Sequence, residues 1–506
     1  MARSSCARDG LLARYDAVII GSGAGGATLA YQLGRNGLKV LIAERGERLQ
    51  PQVGLDTRNV GRFLYHEVKA SDEYLSFVGG QTKFYGAALY RFRESDFDEV
   101  QHESGVSPSW PISYADLEAY YDQAEGLYRV HGSPEGDPSE PPRSRPYPYE
   151  RLPQDPLVER IAQRLRRSGI QVAAIPRGLD YGTGGKCIMC ATCDAHYCQL
   201  DAKMDAETAA LGQAVSTGNV SLESGVECLR ILTDPAGTKA AGVELLHHGA
   251  ATSIKCPIVA VCAGLPGSAI LLRKSRTDKH KEGLGNSSGV LGRYLGGHAV
   301  GMVFPLVSVT KIPQAHTKDF SINGFYNGAP GWNYPLGIIQ TGGQTPFWEL
   351  AGPLKRPFAK FVGQRSITCF YMSEALPTSE SGFVFDGDSV ARKIPPTYNM
   401  KSFRQLREIA KATFAKAGYP CVARPQLPYL WHETGTARMG DEAANSVVDR
   451  NCQVHGIDGL FVMDASVLPT AGAVNTGLTI MALALRAGDH IAKCIAPITA
   501  VEQESV

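Results

Sequence analysis

The sequence has almost no net charge, few cysteines for its length and no long apolar run. Its 506 residues carry 51 Lys and Arg against 50 Asp and Glu. This balance excludes a globally basic nucleic-acid-binding chain, and no nucleic-acid partner is expected. The 12 cysteines are too sparse for a disulfide-stapled scaffold and suit a reducing compartment. No stretch reaches the roughly 18 apolar residues of a membrane helix. We therefore expect a soluble, cytoplasmic protein.

The hydrophobic pattern near the N-terminus predicts a βαβ unit. Residues 15–20 read as a buried parallel strand, a helix follows from about residue 27, and residues 39–46 read as the second strand. The spacing of apolar residues predicts further helices at 116–130, 157–168 and 401–418.

Three other segments have patterns that do not indicate helices. Residues 131–156 are rich in proline and predict a surface excursion. Residues 219–264 predict a β-meander that ends in a parallel strand. Residues 300–400 favour β-structure without a helical period, so we expect a separate, mainly antiparallel sheet there.

A dinucleotide-binding fingerprint lies inside the βαβ unit. The pattern G-x-G-x-x-G is satisfied by Gly21, Ser22, Gly23, Ala24, Gly25 and Gly26. The first glycine of such a pattern permits a tight turn, the second lets backbone approach a pyrophosphate, and the third lets the helix pack on the strand. Glu44, at the end of the second strand, can accept hydrogen bonds from both ribose hydroxyls, which disfavours a 2′-phosphate. The fingerprint alone does not separate NAD from FAD.

Further motifs follow the fingerprint in a characteristic order. They occupy residues 78–97, 109–125, 259–272, 292–298, 431–440 and 458–491. Together they resemble the glucose–methanol–choline (GMC) flavoprotein oxidoreductases, in the branch that acts on carbohydrates, polyols or amino sugars. The resemblance implies an α/β fold (α+β overall), with a Rossmann-type FAD-binding domain and a discontinuous, largely antiparallel-sheet substrate domain. It implies FAD-binding segments at 12–105, 205–298 and 431–506, a cap segment at 106–204 and a substrate domain at 299–430.

The resemblance also implies roles for individual residues. His432 stands at the position of the active-site histidine, and Asn475 stands at the second catalytic position. A neutral His can take the proton of an alcohol while hydride passes to the flavin, and an Asn can hold the same oxygen by hydrogen bonding. The implied FAD contacts, besides the fingerprint residues and Glu44, are Arg45, Val226, Ala263, Gly264, Asp464, Ala465 and Thr476.

Two departures from the family pattern bear on the cofactor. Thr476 follows Asn475 where relatives usually have Pro, so a backbone N–H is expected near the flavin pyrimidine edge. Relatives with covalently held FAD place a His in the segment that here carries Phe84 and Tyr85. We therefore expect non-covalent FAD.

A cysteine cluster has three competing interpretations. Cys187, Cys190, Cys193 and Cys198 have the spacing C-x2-C-x2-C-x4-C, which approaches an iron–sulfur motif. The resemblance points to Cys187, Cys193 and Cys198 as the ligands of such a cluster. A zinc site or a disulfide is the second interpretation. The third is a reduced loop that holds no metal.

The leading hypothesis is oxidation of a hydroxyl group on a sugar, polyol or aminoglycoside-like small molecule, with O2 or a redox partner as electron acceptor. Glu433, Glu349 and Glu374 could accept hydrogen bonds from substrate hydroxyls or ammonium groups, or they are plain surface charges. One alternative is a dehydrogenase subunit that passes electrons through an iron–sulfur cluster to a cytochrome or quinone. Others are an NAD-dependent dehydrogenase and a non-catalytic flavin-binding electron-transfer scaffold.

Overall fold

The computed structural model describes residues 12, 14–50, 76–344, 348, 351–386, 389–393, 399–424 and 430–495. In chain order, the helices are α1 (Ala24–Arg35), α2 (Tyr114–Leu127), α3 (Pro156–Arg167), α4 (Gly212–Ser216), α5 (Gly267–Lys274), α6 (Arg356–Gly363), α7 (Met400–Lys416) and α8 (Gly477–Cys494). The strands are β1 (Ala17–Ile20), β2 (Val40–Glu44), β3 (Val100–His102), β4 (Gly105–Ser107), β5 (Val130–Gly132), β6 (Tyr149–Glu150), β7 (Ala173–Ala174), β8 (Arg177–Gly178), β9 (Val220–Ser224), β10 (Glu227–Thr233), β11 (Ala240–His247), β12 (Ala250–Lys255), β13 (Ile258–Val261), β14 (Gly296–Pro305), β15 (Phe320–Ile322), β16 (Ile338–Thr341), β17 (Cys369–Ala375), β18 (Gly382–Asp386), β19 (Ser389–Lys393), β20 (Cys421–Arg424), β21 (Trp431–Thr434) and β22 (Leu460–Val462).

A parallel sheet with the order β22-β13-β1-β2-β9 forms one half of the molecule. Its inner strands read as continuous apolar runs because every residue of β1, β2 and β13 is buried, as in sheets covered on both faces. The predicted βαβ unit is confirmed as β1, α1 and β2. The predicted meander is wrong at its start, because β9 pairs with β2 in parallel and extends this sheet. Only β10, β11 and β12 form the antiparallel meander.

A mainly antiparallel sheet forms the other half. Its order is β20-β14-β17-β16-β15-β7, and β21 also pairs with β14. The prediction of an antiparallel sheet in residues 300–400 is confirmed. The sheet also takes in β7 and β21 from distant parts of the chain. This interleaving agrees with the expected α/β and α+β fold class, whereas the five predicted domain boundaries stay predictions.

Helices cover the parallel sheet and close its core. The three helices predicted from apolar spacing are confirmed as α2, α3 and α7. Helix α2 begins at a capping box, in which Ser113 and Asp116 exchange side-chain to backbone hydrogen bonds. Helix α8 packs against both α1 and α2, and the hydroxyls of Tyr121 and Thr479 meet at 2.8 Å. No helix built from the described residues is long and apolar enough to cross a lipid bilayer.

The proline-rich segment packs more closely than its composition predicts. The side chain of Arg143 is largely buried and donates to Glu125 of α2, at 2.9 Å from each of two nitrogens. The same Glu125 is paired with Arg91, whose side chain is fully buried. The segment therefore completes a buried ion-pair network, which the sequence pattern did not indicate.

Candidate active site

The predicted cofactor residues gather at one edge of the parallel sheet. Each lies within two residues of the carboxyl end of a strand: Gly21 after β1, Arg45 after β2, Val226 after β9, Ala263 after β13 and Asp464 after β22. Ligands of open α/β sheets bind at this edge. The structure therefore brings together residues that lie more than four hundred positions apart in the sequence.

The glycines of the fingerprint are required by close backbone contacts. Gly21 has φ +101°, and a methyl group there would lie 2.4 Å from the carbonyl oxygen of Cys262. A methyl group at Gly26 would lie 2.0 Å from the Gly21 oxygen, and one at Gly25 would lie 1.9 Å from the Met463 oxygen. These three glycines let α1 approach β1, β13 and β22 closely. The contact of Gly25 with Met463 was not foreseen from the sequence.

Gly23 has a different setting, which fits an anionic ligand. Gly23 is the N-cap residue of α1, and Ala24 begins the helix. A methyl group at Gly23 would have no atom closer than 3.9 Å, and that atom belongs to Gly80. Gly23 therefore borders open space, where the unpaired N–H groups and the partial positive charge of the helix N-terminus favour a phosphate.

Glu44 is held rigidly at the end of β2. Its Oε2 accepts hydrogen bonds from Ser22 N at 2.8 Å and Ser22 Oγ at 2.7 Å, and its Oε1 accepts one from Gly46 N at 2.8 Å. The backbone N–H of Val226 donates to the Glu44 carbonyl at 2.9 Å. Arg45 is exposed and its guanidinium donates to Ser76 Oγ. A carboxylate oxygen has two lone pairs, so Oε1 keeps an acceptor site beside the fingerprint.

Asp464 organises a second group of predicted FAD contacts. Its Oδ2 accepts from Gly264 N at 2.9 Å and from Ser268 Oγ at 2.5 Å. Ser268 Oγ in turn accepts from Ala263 N at 3.1 Å. Ala465 begins the short 3₁₀ turn after Asp464. Sequence reasoning missed Ser268, although its place in the first turn of α5 directly after the Ala263–Gly264 pair was a usable signal.

These two groups of residues fit FAD. An open helix N-terminus suits a pyrophosphate, and the fixed Glu44 carboxylate suits a ribose diol without a 2′-phosphate. Gly264 has φ +69°, and a methyl group there would meet no atom within 4 Å, so its backbone borders open space as well. The open helix N-terminus, the fixed Glu44 carboxylate and the open space at Gly264, all at the strand ends, fit the FAD that the family resemblance implies.

His432 and Asn475 lie together at the junction of the two sheets. The Asn475 side-chain nitrogen Nδ2 is 3.2 Å from His432 Nε2. His432 belongs to β21 of the antiparallel sheet, whereas Asn475 is in the loop before α8, where buried Thr476 is the N-cap residue. The structure therefore places both predicted catalytic side chains within hydrogen-bonding distance of each other.

A β-bulge aims the His432 side chain. The register between β14 and β21 shifts between Gly296 and His298, and His432 has φ +49°, which is uncommon for a residue with a side chain. Gly297 lies opposite, and a methyl group there would be 2.8 Å from the Trp431 oxygen. Bulges re-aim side chains and occur next to active sites. The bulge at His432, accommodated by Gly297, therefore sets the direction of the imidazole.

Three buried residues that sequence reasoning missed surround this pair. His298 Nδ1 is 2.8 Å from His432 Nδ1. Gln340 Nε2 donates to Asn475 Oδ1 at 2.8 Å, and Lys318 Nζ donates to Gln340 Oε1 at 3.2 Å. His298 lies in the motif at 292–298, but its position in that motif did not distinguish it. Gln340 and Lys318 lie in a region without any spacing signal.

The local environment keeps His432 neutral. Loss of hydration lowers the pKa of His432 well below its ordinary value, and His298 and Lys318 lower it further. Burial lowers the pKa of His298 to about 4. The Lys318 Nζ atom also lies 3.4 Å from the carboxylate oxygen Oδ2 of Asp194. At neutral pH both imidazoles are therefore uncharged, and His432 is in the form that can accept a proton.

The predicted iron–sulfur cluster on Cys187, Cys193 and Cys198 is not supported. All three are free thiols, and no three His, Cys, Asp or Glu side chains within the described ranges are arranged to hold a metal ion. Cys187 and Cys193 pack against a small apolar cluster of Ala87, Leu152 and Leu179. Burial raises the pKa of Cys193 to about 12, so without a metal the thiol is protonated and unreactive at neutral pH. The interpretation as a reduced loop agrees with this packing.

Lys203 anchors the same loop. It is fully buried, and its Nζ donates to three backbone oxygens, those of Tyr85 at 3.0 Å, Cys193 at 3.1 Å and His196 at 2.6 Å. Burial lowers the pKa of Lys203. The Cys-containing loop is thus fixed against the segment at 84–85, where Tyr85 also donates to the Met204 carbonyl at 2.5 Å.

Two of the three acidic residues proposed as substrate acceptors, Glu433 and Glu374, already have partners. Glu433 pairs with Arg392 at 3.0 Å. Glu374 is buried and accepts hydrogen bonds from Ser107 Oγ at 2.6 Å and from Ala471 N at 3.2 Å. Glu349 lies outside the described residues. The structure therefore gives no support to a role for Glu433 or Glu374 in substrate binding.

Comparisons with known proteins agree with this geometry. Models of the GMC oxidoreductase family match residues 15–300 and 400–484. Paromamine 6'-oxidase from Streptomyces fradiae is 28% identical over 94% of this chain and 91% of its own length. The 6'''-hydroxyparomomycin C oxidase from Streptomyces lividus is 29% identical over 95% and 92%. The crystal structure of pyridoxine 4-oxidase from Mesorbium loti has a TM-score of 0.64 and 18% identity, with 94% and 99% coverage, which supports the fold. The family models match more than half of the chain, and it therefore belongs to the GMC oxidoreductase family.

Proposed function

We propose that the protein oxidises a hydroxyl group of an amino sugar or related polyol, with FAD held non-covalently and His432 as the base. The observation that carries the proposal is the 3.2 Å approach of Asn475 Nδ2 to His432 Nε2, beside the sheet edge that fits FAD. The substrate class rests on the activities in the names of the two Streptomyces relatives.

The residues that would hold FAD are those at the carboxyl ends of the parallel strands. The N-terminus of α1 with Gly23 would hold the pyrophosphate, and Glu44 would accept hydrogen bonds from the ribose. The segment after β22, with Asp464 fixed by Ser268 and Ser466, would line the middle of the cofactor. FAD supplies the acceptor for the hydride that leaves the carbinol carbon.

His432 and Asn475 would act on the substrate hydroxyl from one side. His432 is neutral, and a lone pair at its Nε2 would accept the hydroxyl proton. Asn475 Nδ2 would donate to the same oxygen and hold it in place without taking up charge. General-base catalysis of this kind contributes about a hundredfold to ten-thousandfold. Lys318, whose charge already influences His432, would favour negative charge developing on that oxygen.

We propose non-covalent attachment of FAD because Phe84 and Tyr85 occupy the segment where relatives with covalent FAD have a His. Neither offers an imidazole for a covalent link, and the Tyr85 hydroxyl is engaged by the Met204 carbonyl. Acid precipitation of the purified protein should leave the flavin in the supernatant. A yellow pellet would contradict non-covalent attachment of FAD and would leave the proposed role of His432 unaffected.

The test of the proposed reaction is anaerobic mixing with a panel of alcohols. We expect aminoglycosides with a free hydroxymethyl group to bleach the flavin absorbance faster than simple polyols or aromatic alcohols. Replacement of His432 by Ala should slow bleaching about a hundredfold to ten-thousandfold, with flavin retained. The exposed His248 provides a matched control, and His248→Asn should leave the rate unchanged.

Two results would contradict the proposal. If H432A bleaches as fast as the unaltered protein, His432 is not the base. If no sugar or polyol in the panel reacts while another alcohol does, the substrate class is wrong.

Admission of air after reduction identifies the electron acceptor. Rapid return of the oxidised flavin spectrum indicates an oxidase, and slow return indicates a dehydrogenase.

A further inference from the structure

The hydrogen positions around His432 can be derived from groups that can only accept or only donate. His298 Nε2 lies 3.2 Å from the Ala471 oxygen and 3.0 Å from the Gly472 oxygen. Carbonyl oxygens can only accept, so His298 Nε2 carries a hydrogen. A neutral imidazole has one N–H, so His298 Nδ1 has a lone pair. The contact of 2.8 Å then requires His432 Nδ1 to donate, which leaves His432 Nε2 without a hydrogen.

A second line of hydrogen bonds reaches the same atom from the opposite side. The ammonium of Lys318 can only donate, so its partner in Gln340 must be the oxygen, at 3.2 Å. The Gln340 nitrogen then faces Asn475, whose oxygen accepts at 2.8 Å. The Asn475 nitrogen is therefore the atom that faces His432 Nε2, at 3.2 Å. A donor at this place again requires a lone pair on His432 Nε2.

We propose that His298 is a positioning residue that fixes the His432 tautomer with its hydrogen at Nδ1 and its lone pair at Nε2, and that Lys318 and Gln340 fix the matching orientation of Asn475. The proposal rests on the proposed function, because it assigns to His432 Nε2 the role of the base. None of the three residues needs to touch the substrate. Their effect on turnover passes through His432 and Asn475.

His298 also ties the two catalytic side chains to each other. Its Nε2 holds the carbonyls of Ala471 and Gly472, which lie only a few residues before Asn475 in the same loop. Its Nδ1 holds the His432 ring. One fully buried imidazole therefore sets both the proton position and the spacing between the base and its partner. Misplacement by about 1 Å can cost about a hundredfold in rate.

The direct test is nitrogen-15 NMR of the FAD-loaded protein with labelled histidine, with His432 assigned by comparison with H432A. Imidazole nitrogens with and without a hydrogen have well-separated shifts. We expect His432 to carry its hydrogen at Nδ1 and His298 to carry its hydrogen at Nε2. The opposite tautomer at either ring would overturn the proposal. This readout needs no turnover, so it stands apart from a failure of the proposed function.

The kinetic test compares two replacements of His298. In His298→Gln the amide can accept from His432 and donate to the loop carbonyls, whereas His298→Leu removes both functions. We expect the rate of flavin bleaching in H298L to fall about tenfold to a hundredfold with a small change in KM, and H298Q to restore most of the loss. Equal losses in both variants, with equal flavin content, would show a merely structural role. If H298L does not fold, an H298Q rate near that of the unaltered protein supports the proposal, and a hundredfold loss overturns it.

Discussion

The buried, neutral His298 should make the folded protein sensitive to acid. Its ordinary pKa of 6.5 falls to about 4 because the ring is buried. In the unfolded chain the ring takes up a proton as the pH falls below about 6.5, whereas in the folded protein it does so only near pH 4. At this ring the unfolded state then binds more protons, so the contribution of His298 to the free energy of unfolding decreases as the pH falls through this window. Glu374, which lies opposite His298 on β17, raises the pKa of His298 and so opposes the effect of burial without reversing it.

The size of the effect follows from the difference between the two pKa values. One pKa unit corresponds to about 1.4 kcal/mol, so the loss between neutral pH and pH 4 reaches about 3 kcal/mol. His432 acts in the same direction, since its pKa is also lowered. The loss should begin below about pH 6.5 and be complete near pH 4, because outside this window both states of the chain bind the same number of protons at His298.

The assay is urea unfolding of the FAD-loaded protein at a series of pH values from about 7 to about 4. The comparison is between the unaltered chain, His298→Gln, which removes the titrating ring, and His248→Asn, which removes an exposed one. Between about pH 7 and about pH 4, we expect the free energy of unfolding of H298Q to rise by about 3 kcal/mol relative to that of the unaltered protein. This change is expected whatever the stability of H298Q at pH 7. Parallel stability curves for these two proteins would refute the reasoning, as would an equal gain in H248N.

Two further predictions concern backbone contacts and the Cys-containing loop. Replacement of Gly25 by Ala should lower Tm and release flavin, because a methyl group would lie 1.9 Å from the Met463 oxygen. The control Gly212→Ala, where the nearest atom would be 3.9 Å from the methyl group, should change neither Tm nor flavin content. Equal flavin content in G25A and G212A would contradict this prediction. Replacement of Lys203 by Met leaves three buried carbonyls without their donor, which destabilises the loop by about 1–3 kcal/mol for each carbonyl. The loop should then open more often, so Cys193 of the folded variant should react with a thiol reagent at least about tenfold faster than in the unaltered protein. The exposed Lys186 supplies the control K186M, and equal rates in the two variants would disprove the anchoring role.

The sequence was sufficient for elements whose signals are local. The βαβ unit was predictable because buried parallel strands are continuous apolar runs and the fingerprint glycines sit between strand and helix. Strand β9 was not, because its sequence VSLES alternates apolar and polar residues, as an antiparallel strand with one exposed face does. Its pairing with β2 depends on the fold of the whole sheet.

The candidate site divides in the same way. His432, Asn475 and the residues at the strand ends lie in motifs with fixed spacing, so the resemblance could name them as candidates, and their roles stay predictions. His298, Gln340 and Lys318 act through contacts made only when β14 pairs with β21 and when β16 comes beside the loop before α8. The Cys spacing suggested metal ligands, but the packing of Cys193 against the small apolar cluster of Ala87, Leu152 and Leu179 cannot be read from spacing. Pairing of distant strands and burial of thiols are tertiary properties.

The place of β22 beside β13 has a consequence for synthesis on the ribosome. The contact of Gly25 with Met463 cannot form until nearly the whole chain has been translated. At about 5–20 residues per second, the roughly 200 residues between β13 and β22 take about 10–40 s, so β13 waits that long for its second neighbour. During that interval the nascent chain exposes an apolar strand edge and lacks the segment with Asp464. FAD capture is therefore expected only after the segment with Asp464 has been synthesised, and chaperones that shield strand edges should increase the yield of flavin-loaded protein.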